Sequence, residues 1–353
     1  MSATTLLPGT VPSAAGFRQP AEWDAHEAVW LAWPSHEDLW EGALPGVRAA
    51  FTEFAAAIAD VDEVGVPRGE RLSVLVPDEE NELLASNALA GLGARLFRIP
   101  FGDIWLRDTA PVFLIGPRGR ATVSFAFNGW GGKYVLPHDT DVAETIAAVS
   151  ALPGFRFRWV LEGGSVEVDG EGTCLTTRQC LLNPNRNPGM SPGAIEEGLR
   201  DALGVSKVIW LGDGLLNDHT DGHVDTLARF VAPGEVVCMA PSGPDDPNRQ
   251  VLLQIARDLS KMRDAAGRAL RVVTVPSPGL VPDAGGEPMP ASYVNFYIAN
   301  TTVVVPAYGV PTDEVARAKI GTLFPGRRAV SVPARQLLEG GGAFHCISQQ
   351  VPA

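Results

Sequence analysis

The chain has 353 residues, of which 45% are hydrophobic and 20% charged, and its formal net charge is −13. That surplus of carboxylates argues against a nucleic-acid polyanion as partner and favours a cationic small molecule. No apolar run approaches the ~20 residues of a membrane span, and the N-terminus lacks the basic-then-apolar order of a signal peptide. The four cysteines (Cys174, Cys180, Cys238 and Cys346) show neither CxxC spacing nor a disulfide framework, so a reduced, cytoplasmic protein is expected, with no membrane partner.

No linker, charge block or low-complexity tract divides the sequence, which reads as one domain over 1–353 with an irregular segment at 1–18. In chain order the pattern predicts a helix over 47–59, a strand over 72–76 and a helix over 79–92. Strands at 112–115 and 122–127, a helix at 142–149, a strand at 166–168 and a helix at 194–203 follow. Next come strands at 207–210, after Gly222 and at 236–239, a helix at 248–266, and strands at 271–275, 292–298 and 302–305. A helix at 312–323 and a strand at 328–332 complete the series. Strands alternate with amphipathic helices, so the fold class is α/β. Neither GxGxxG nor GxxxxGK[ST] follows a strand, which disfavours a nucleotide site.

The glycines instead gather beside acidic and aromatic residues, in NGWGG at 128–132, EGGS at 162–165 and EGGGAFHC at 339–346. A glycine run lets backbone and ligand approach closely, so a thiol at its edge can meet a substrate. Cys346 is the candidate nucleophile, against the alternative of a small buried hydrophobe. In NDHTDGHVDT at 217–226, an extended backbone after Gly222 would put His223 and Asp225 on one face, a base beside a carboxylate. A metal reading pairs His219 with His223 at i, i+4. Gly222 between them and the missing glutamate of an HExxH helix put that reading second. If residues 344–347 are extended, His345 points away from Cys346, which leaves His223 as the better acid/base.

Asp108 stands after Trp105 and Arg107, and Glu162 sits at a Gly-Gly turn. Taken singly, each could be a surface carboxylate or a cap. Taken with Asp225, they form a cage suited to a guanidinium, whose planar fork of N–H donors carboxylates bind pairwise. A cation held there would also favour the Cys346 thiolate.

Several ordered blocks carry a resemblance. They are PAEWDAHEAVWLAWP at 20–34, WLRDTAP at 105–111, FNGWGG at 127–132, EGGS at 162–165, LNPNRNP at 182–188, DGHVD at 221–225, ASYVNF at 291–296 and the Cys346 loop. Nearly end to end, the chain resembles the agmatine deiminases of the peptidyl-arginine deiminase-like group. The resemblance implies the pentein fold, a five-bladed α/β propeller of pseudo-fivefold ββαβ repeats around a central pocket. It implies Cys346 as nucleophile, His223 as general acid/base, Asp108, Glu162 and Asp225 as the carboxylates that hold the guanidinium and orient the histidine, and Trp105 in the pocket wall. The implied reaction is hydrolysis of a small cationic guanidine, with no metal and no other cofactor; a homodimer is compatible.

One departure bears on the substrate. The common family block Asp-Glu-Thr-Asn/Asp-Gly-His is here DHTDGH at 218–223, so His219 stands in place of an acid that could hold agmatine's distal amine. Free or peptide-linked arginine therefore stays open as substrate, with Arg186 or His219 as partner for its carboxylate, and so does amidino transfer to an amine in place of water.

Overall fold

The computed structural model describes residues 10–353. Sixteen strands form five small sheets among these residues. Four of the sheets repeat one pattern. Strands β1 (His26–Ala32), β2 (Arg71–Val76) and β3 (Arg95–Arg98) belong to the first sheet. β4 (Val112–Gly116) and β5 (Gly119–Ala126) then form an antiparallel hairpin, and β6 (Gly154–Val160) joins β5 in parallel. The pattern recurs in β7 (Val166–Val168), β8 (Thr173–Thr177) and β9 (Lys207–Leu211). It appears again in β10 (Ala228–Ala232), β11 (Glu235–Ala240) and β12 (Arg271–Pro276), then in β13 (Tyr297–Ile298), β14 (Thr302–Ala307) and β15 (Arg328–Pro333). A parallel pair needs a crossover, and a helix supplies it each time: Asp139–Ser150, Pro192–Leu203, Arg249–Leu259 and Asp313–Leu323.

The first sheet obeys the same rule only when the chain's end is included. β16 (Gln349–Pro352) pairs antiparallel with β1, and helix Leu44–Ala59 carries β1 to its parallel neighbour β2. The order β16-β1-helix-β2 is thus the fifth ββαβ unit, with β3 appended. The expected five-bladed α/β propeller is the fold, and its ring is closed by the last strand.

Helix Leu44–Ala59 shows how the sequence builds a blade. Leu44, Val47, Phe51, Phe54, Ala55 and Ile58 recur at three- and four-residue spacing and all are buried. The helix stops at Asp60, whose φ of 44° is left-handed and whose carboxylate takes hydrogen bonds from Arg68 and Arg328. Each fully buried large apolar side chain contributes about 1.5–3 kcal/mol. Phe54 stacks on Phe344 at a ring-centroid distance of 4.6 Å, so this helix directly supports the loop that carries Cys346.

Several expected elements differ. The strand expected at 292–298 is a ladder only over Tyr297–Ile298, because the Ser292 hydroxyl accepts from the Val294 amide and folds the preceding residues into a turn. The strand expected directly after Gly222 begins at Ala228, and Val224–Thr226 is a 3₁₀ turn. The helix expected to run to 266 ends at Leu259, and Arg263 and Ala269 then form an isolated bridge. Within the segment expected to be irregular, residues 1–9 lie outside the described residues. Residues 13–15 form a 3₁₀ turn, and Phe17 is buried between Arg18, which bridges to Ile115, and the core.

Candidate active site

The turns that enter and leave the blades place the candidate residues together. Asp108 lies on the short helix Leu106–Thr109 ahead of β4, Glu162 precedes the 3₁₀ turn Gly163–Ser165 ahead of β7, and His223 and Asp225 flank Val224 ahead of β10. Cys346 occupies a turn ahead of β16. Gly164 marks where three of them meet. A Cβ added there would lie 2.6 Å from His223 Nδ1, 3.0 Å from Asp225 Oδ2 and 3.1 Å from Asp108 Oδ1, so no other residue fits the position. Gly342 does the same for the thiol, since its Cβ would approach Trp105 within 2.7 Å and Cys346 Sγ within 3.1 Å.

The sequence argument about His345 fails at its premise. Residues 344–347 form a turn rather than a strand, so alternation of faces does not apply. His345 is nonetheless turned away from the thiol's acid/base chemistry: its Nδ1 is hydrogen-bonded with Asp225 Oδ2 at 2.7 Å and its Nε2 with Glu22 Oε2 at 2.8 Å. The shared face inferred for His223 and Asp225 also fails, because neither lies in a strand. Their proximity comes from the 3₁₀ turn.

His223 is buried between two acids, with Nδ1 3.8 Å from Asp108 Oδ2 and Nε2 3.9 Å from Glu162 Oε2. Neither ring nitrogen has a hydrogen-bond partner among the described residues. Burial alone would depress its pKa, but the charge of Asp108 and contacts with Cys180 and Glu162 outweigh it and hold the imidazole well above its ordinary value. Asp108 is fixed by Trp130 Nε1 on Oδ2 at 2.8 Å and by the Gly164 amide on Oδ1 at 2.9 Å. Burial pushes its carboxyl upward, with Asp225 and Glu162 adding to the effect against His223. Glu162 Oε1 accepts from Arg186 Nε at 2.8 Å, and its Oε2 has no hydrogen-bond partner among the described residues. Its carboxyl lies below its ordinary value, because His223 and Arg186 overcome a burial penalty. Asp225 is likewise lowered, its burial outweighed chiefly by His345, and its Oδ1 is unpaired among the described residues.

The Cys346 thiol lies 3.6 Å from Asp225 Oδ2 and takes a hydrogen bond from Asn295 Nδ2 at 3.2 Å. Burial, and then the negative charges of Asp225 and Asp108, hold it well above the ordinary thiol value. With no substrate cation in the cavity, the site is therefore a protonated thiol beside buried carboxylates.

A cavity of about 180 Å³ opens onto this thiol. Trp105, Asp108, His219 and Cys346 line it together with Trp40, Trp130, Tyr134, Asp103 and Glu339. Glu162, His223 and Asp225 are not among its lining residues but lie next to Asp108 and Cys346, which are. His219 sits at the mouth, its Nδ1 3.2 Å from the Tyr134 hydroxyl and its carbonyl accepting from Lys133 Nζ at 2.8 Å. It is therefore remote from any shared metal with His223, since residues 216–222 are turn and bend rather than the helix such a pair requires.

The sequence matches the Porphyromonas-type peptidyl-arginine deiminase family over residues 18–352. The chain belongs to this family. It is 41% identical to an agmatine deiminase of Ectopseudomonas mendocina, with 99% of each chain covered. Among solved structures, an agmatine deiminase of Enterococcus faecalis shares 35% identity, covers 99% of both chains and superposes with a TM-score of 0.91. A cysteine-to-serine variant of a C. jejuni agmatine deiminase with substrate bound is 25% identical over 96% of each chain, with a TM-score of 0.86.

Within this family member, sequence reasoning missed Asn295, the hydrogen-bond donor to the thiol, and Glu22, the far anchor of His345. Both lie inside blocks that carried the resemblance, PAEWD at 20–24 and ASYVNF at 291–296. Trp40 was missed as well, although its ring lies 6.0 Å from that of Trp105 in the cavity wall. A tryptophan near a short helix gives no signal of its own. Arg186, a candidate for holding a substrate carboxylate, is turned to other work: four of its five N–H groups go to Glu162, Asp221, Asn185 and the Thr220 carbonyl, and its side chain is fully buried.

Proposed function

We propose that this protein hydrolyses agmatine to N-carbamoylputrescine and ammonia through a covalent intermediate on Cys346. The observation that carries the choice of substrate is the charge of the cavity. Asp103, Asp108 and Glu339 line it, and among the described residues no arginine or lysine does. Agmatine is cationic at both ends, and such a lining suits it. Arginine would bring a carboxylate, whereas Arg186 is committed to Glu162 and Asp221, and Lys133, beside His219 at the mouth, is already paired with Asp221.

The guanidinium donates to Asp108 and to the oxygens of Asp225 and Glu162 that have no partner among the described residues, Oδ1 and Oε2. Its positive charge offsets the carboxylates that hold the Cys346 proton, so the thiol ionises as the substrate enters. Sγ attacks the guanidinium carbon, and the imidazolium of His223 protonates the departing ammonia as the C–N bond breaks. His223, now neutral, takes a proton from water, which attacks the amidino-thioether carbon. Collapse expels the thiolate and leaves the ureido product. The Cys346 proton leaves to solvent as the guanidinium enters, the second proton of the attacking water leaves as the carbonyl forms and is taken up by the released ammonia, and His223 ends protonated as it began. A reduced compartment suits the four free cysteines, and no helix among the described residues is long and apolar enough to cross a membrane.

Ammonia release should be measured on agmatine, arginine, an arginyl peptide and guanidinobutyrate, with Cys346→Ser as control. Agmatine should exceed arginine in kcat/KM by about 100-fold or more, and the serine variant should keep its fold while losing turnover by at least ~10³-fold. Equal use of agmatine and arginine would overturn the choice of substrate; unreduced turnover by the serine variant would remove Cys346 from the mechanism. Amidino transfer is the second outcome: an amine acceptor would then raise the rate and appear in the product.

A further inference from the structure

Cys180 is a buried thiol that the reaction above does not use, yet it lies against the catalytic histidine. It sits on the short helix Arg178–Leu181 after β8, where the Thr177 hydroxyl accepts from its amide at 3.2 Å and fixes its position. Its Sγ, a Glu162 carboxylate oxygen and a His223 ring nitrogen all lie within 4.8 Å of one another. We propose that Glu162, Cys180 and His223 form a binding site for a single thiophilic divalent cation of the Zn2+ type, whose uptake blocks catalysis.

Two observations beyond the clustering point to a ligand. Glu162 Oε2 is fully buried and has no hydrogen-bond partner among the described residues, and neither nitrogen of the buried His223 has one. A buried polar atom without a partner carries a desolvation cost that a ligand can relieve. The spacing is close to what a metal needs. Zinc holds sulfur at about 2.3 Å and nitrogen or oxygen at about 2.0–2.2 Å in a tetrahedron, which puts neighbouring donor atoms roughly 3.3–3.8 Å apart. His223 Nε2 and Glu162 Oε2 stand at 3.9 Å already. One thiolate, one imidazole and one carboxylate are a donor set that zinc accepts, with a water in the fourth position.

The charges balance. On binding, Cys180 gives up its proton and the His223 imidazolium gives up one of its two, both to solvent, so thiolate and carboxylate together neutralise a dication while His223 coordinates through a neutral nitrogen. Glu162 stays tied to Arg186 through its other oxygen, which orients the carboxylate from behind. A metal held in this way takes the Glu162 oxygen that would receive the guanidinium and the His223 lone pair that would activate water. Metal and guanidine substrate must therefore compete.

The inference rests on the geometry of the trio and is tested by metal binding, separately from the identity of the substrate. Co2+ is titrated into Cys346→Ser protein, in which the cavity thiol is gone. One equivalent should bind and give the near-ultraviolet thiolate-to-cobalt charge-transfer band. Adding Cys180→Ser should abolish the band and weaken binding at least ~30-fold, and Cys180→Ala gives the same reading if the serine variant is unstable. In protein with Cys346 intact, Cys180→Ser should leave turnover within a few-fold of the parent and raise the Zn2+ concentration for half-inhibition by a similar ~30-fold. No band in the Cys346→Ser protein, a band that survives loss of Cys180, or undiminished Zn2+ inhibition of Cys180→Ser would each overturn the proposal.

Discussion

His345 Nδ1 is hydrogen-bonded with Asp225 Oδ2 at 2.7 Å, while the opposite nitrogen of the same ring is anchored on Glu22 at 2.8 Å. Glu22 is itself held by Arg229 at 2.7 Å and by the Ile298 amide at 2.9 Å, and it lies far below the ordinary carboxylate range, the cation of Arg229 and the contact with His345 overcoming burial. The residue next to Cys346 in sequence thus sits on the far side of the site, as a brace that aims Asp225, one carboxylate of the proposed guanidinium cage.

A brace and a base fail differently. His345→Gln should lower kcat/KM about 10–100-fold, chiefly through KM, because Asp225 loses its aim. His223→Ala should lower kcat by ~10³-fold or more. Steady-state kinetics of both folded variants on agmatine separate the roles, and a His345→Gln protein as deficient in kcat as His223→Ala would assign the base wrongly.

Asp225 and Asp108 also restrain the thiol. Burial accounts for most of the upward displacement of Cys346, and the two carboxylates add to it. Replacing either by Asn removes a negative charge, so thiolate should form at lower pH. Rates of inactivation by iodoacetamide, followed from pH 6 to 10, should show the midpoint moving down by about one pH unit in Asp225→Asn. An unchanged or higher midpoint contradicts the charge argument.

Asp103 offers a stability test. Burial, aided by the neighbouring Asp139, pushes its carboxyl up to about 7, although the Ile104 amide and Trp105 Nε1, at 2.8 Å each, oppose the shift. The folded state therefore binds this proton more tightly than the unfolded state does. Between its ordinary value near 4 and about 7, rising pH must cost stability through this group, and above 7 the cost is complete. Asp103→Asn keeps an acceptor for Trp105 without the charge. It should gain on the parent protein by about 1–3 kcal/mol between pH 5 and pH 8 in urea unfolding. A parallel pH dependence of the two proteins would show that Asp103 does not titrate in this range.

His219 faces the mouth of the cavity beside Tyr134. His219→Glu would add an anion where agmatine's ammonium emerges, and kcat/KM for agmatine should rise several-fold, with the gain shrinking as salt screens the pair. Arginine should not benefit. Equal values in both proteins would place the side chain outside the substrate's reach.

The sequence carries the α/β alternation well where apolar runs are clean, as in Arg271–Pro276 and Arg328–Pro333. It hides strands that are short or polar. The closing strand begins Gln349-Gln350, two buried glutamines that no hydrophobic pattern would mark, and Gln350 earns its burial by accepting from Arg107 at 2.8 Å. In the candidate site, Cys346, His223 and the three carboxylates were legible as residue types beside glycines. Their positions were not, because the turns that carry them take shape from contacts between distant parts of the chain, such as Gly164 against His223 and Gly342 against Trp105. Extended backbone was therefore assumed at both 344–347 and 223–225, and both are turns.

Ring closure through β16 ties the thiol to a distant part of the chain. Cys346 is three residues ahead of β16, whose partner β1 lies more than three hundred residues earlier in sequence. The turn that carries the thiol is held by Phe54 against Phe344, by the Arg107 amide on the Cys346 carbonyl and by the pairing of Gln349–Pro352 with His26–Trp30. Loosening β1, the neighbour of β16 in the molecule's first sheet, therefore reaches the nucleophile through the backbone ladder without touching a single residue of the cavity.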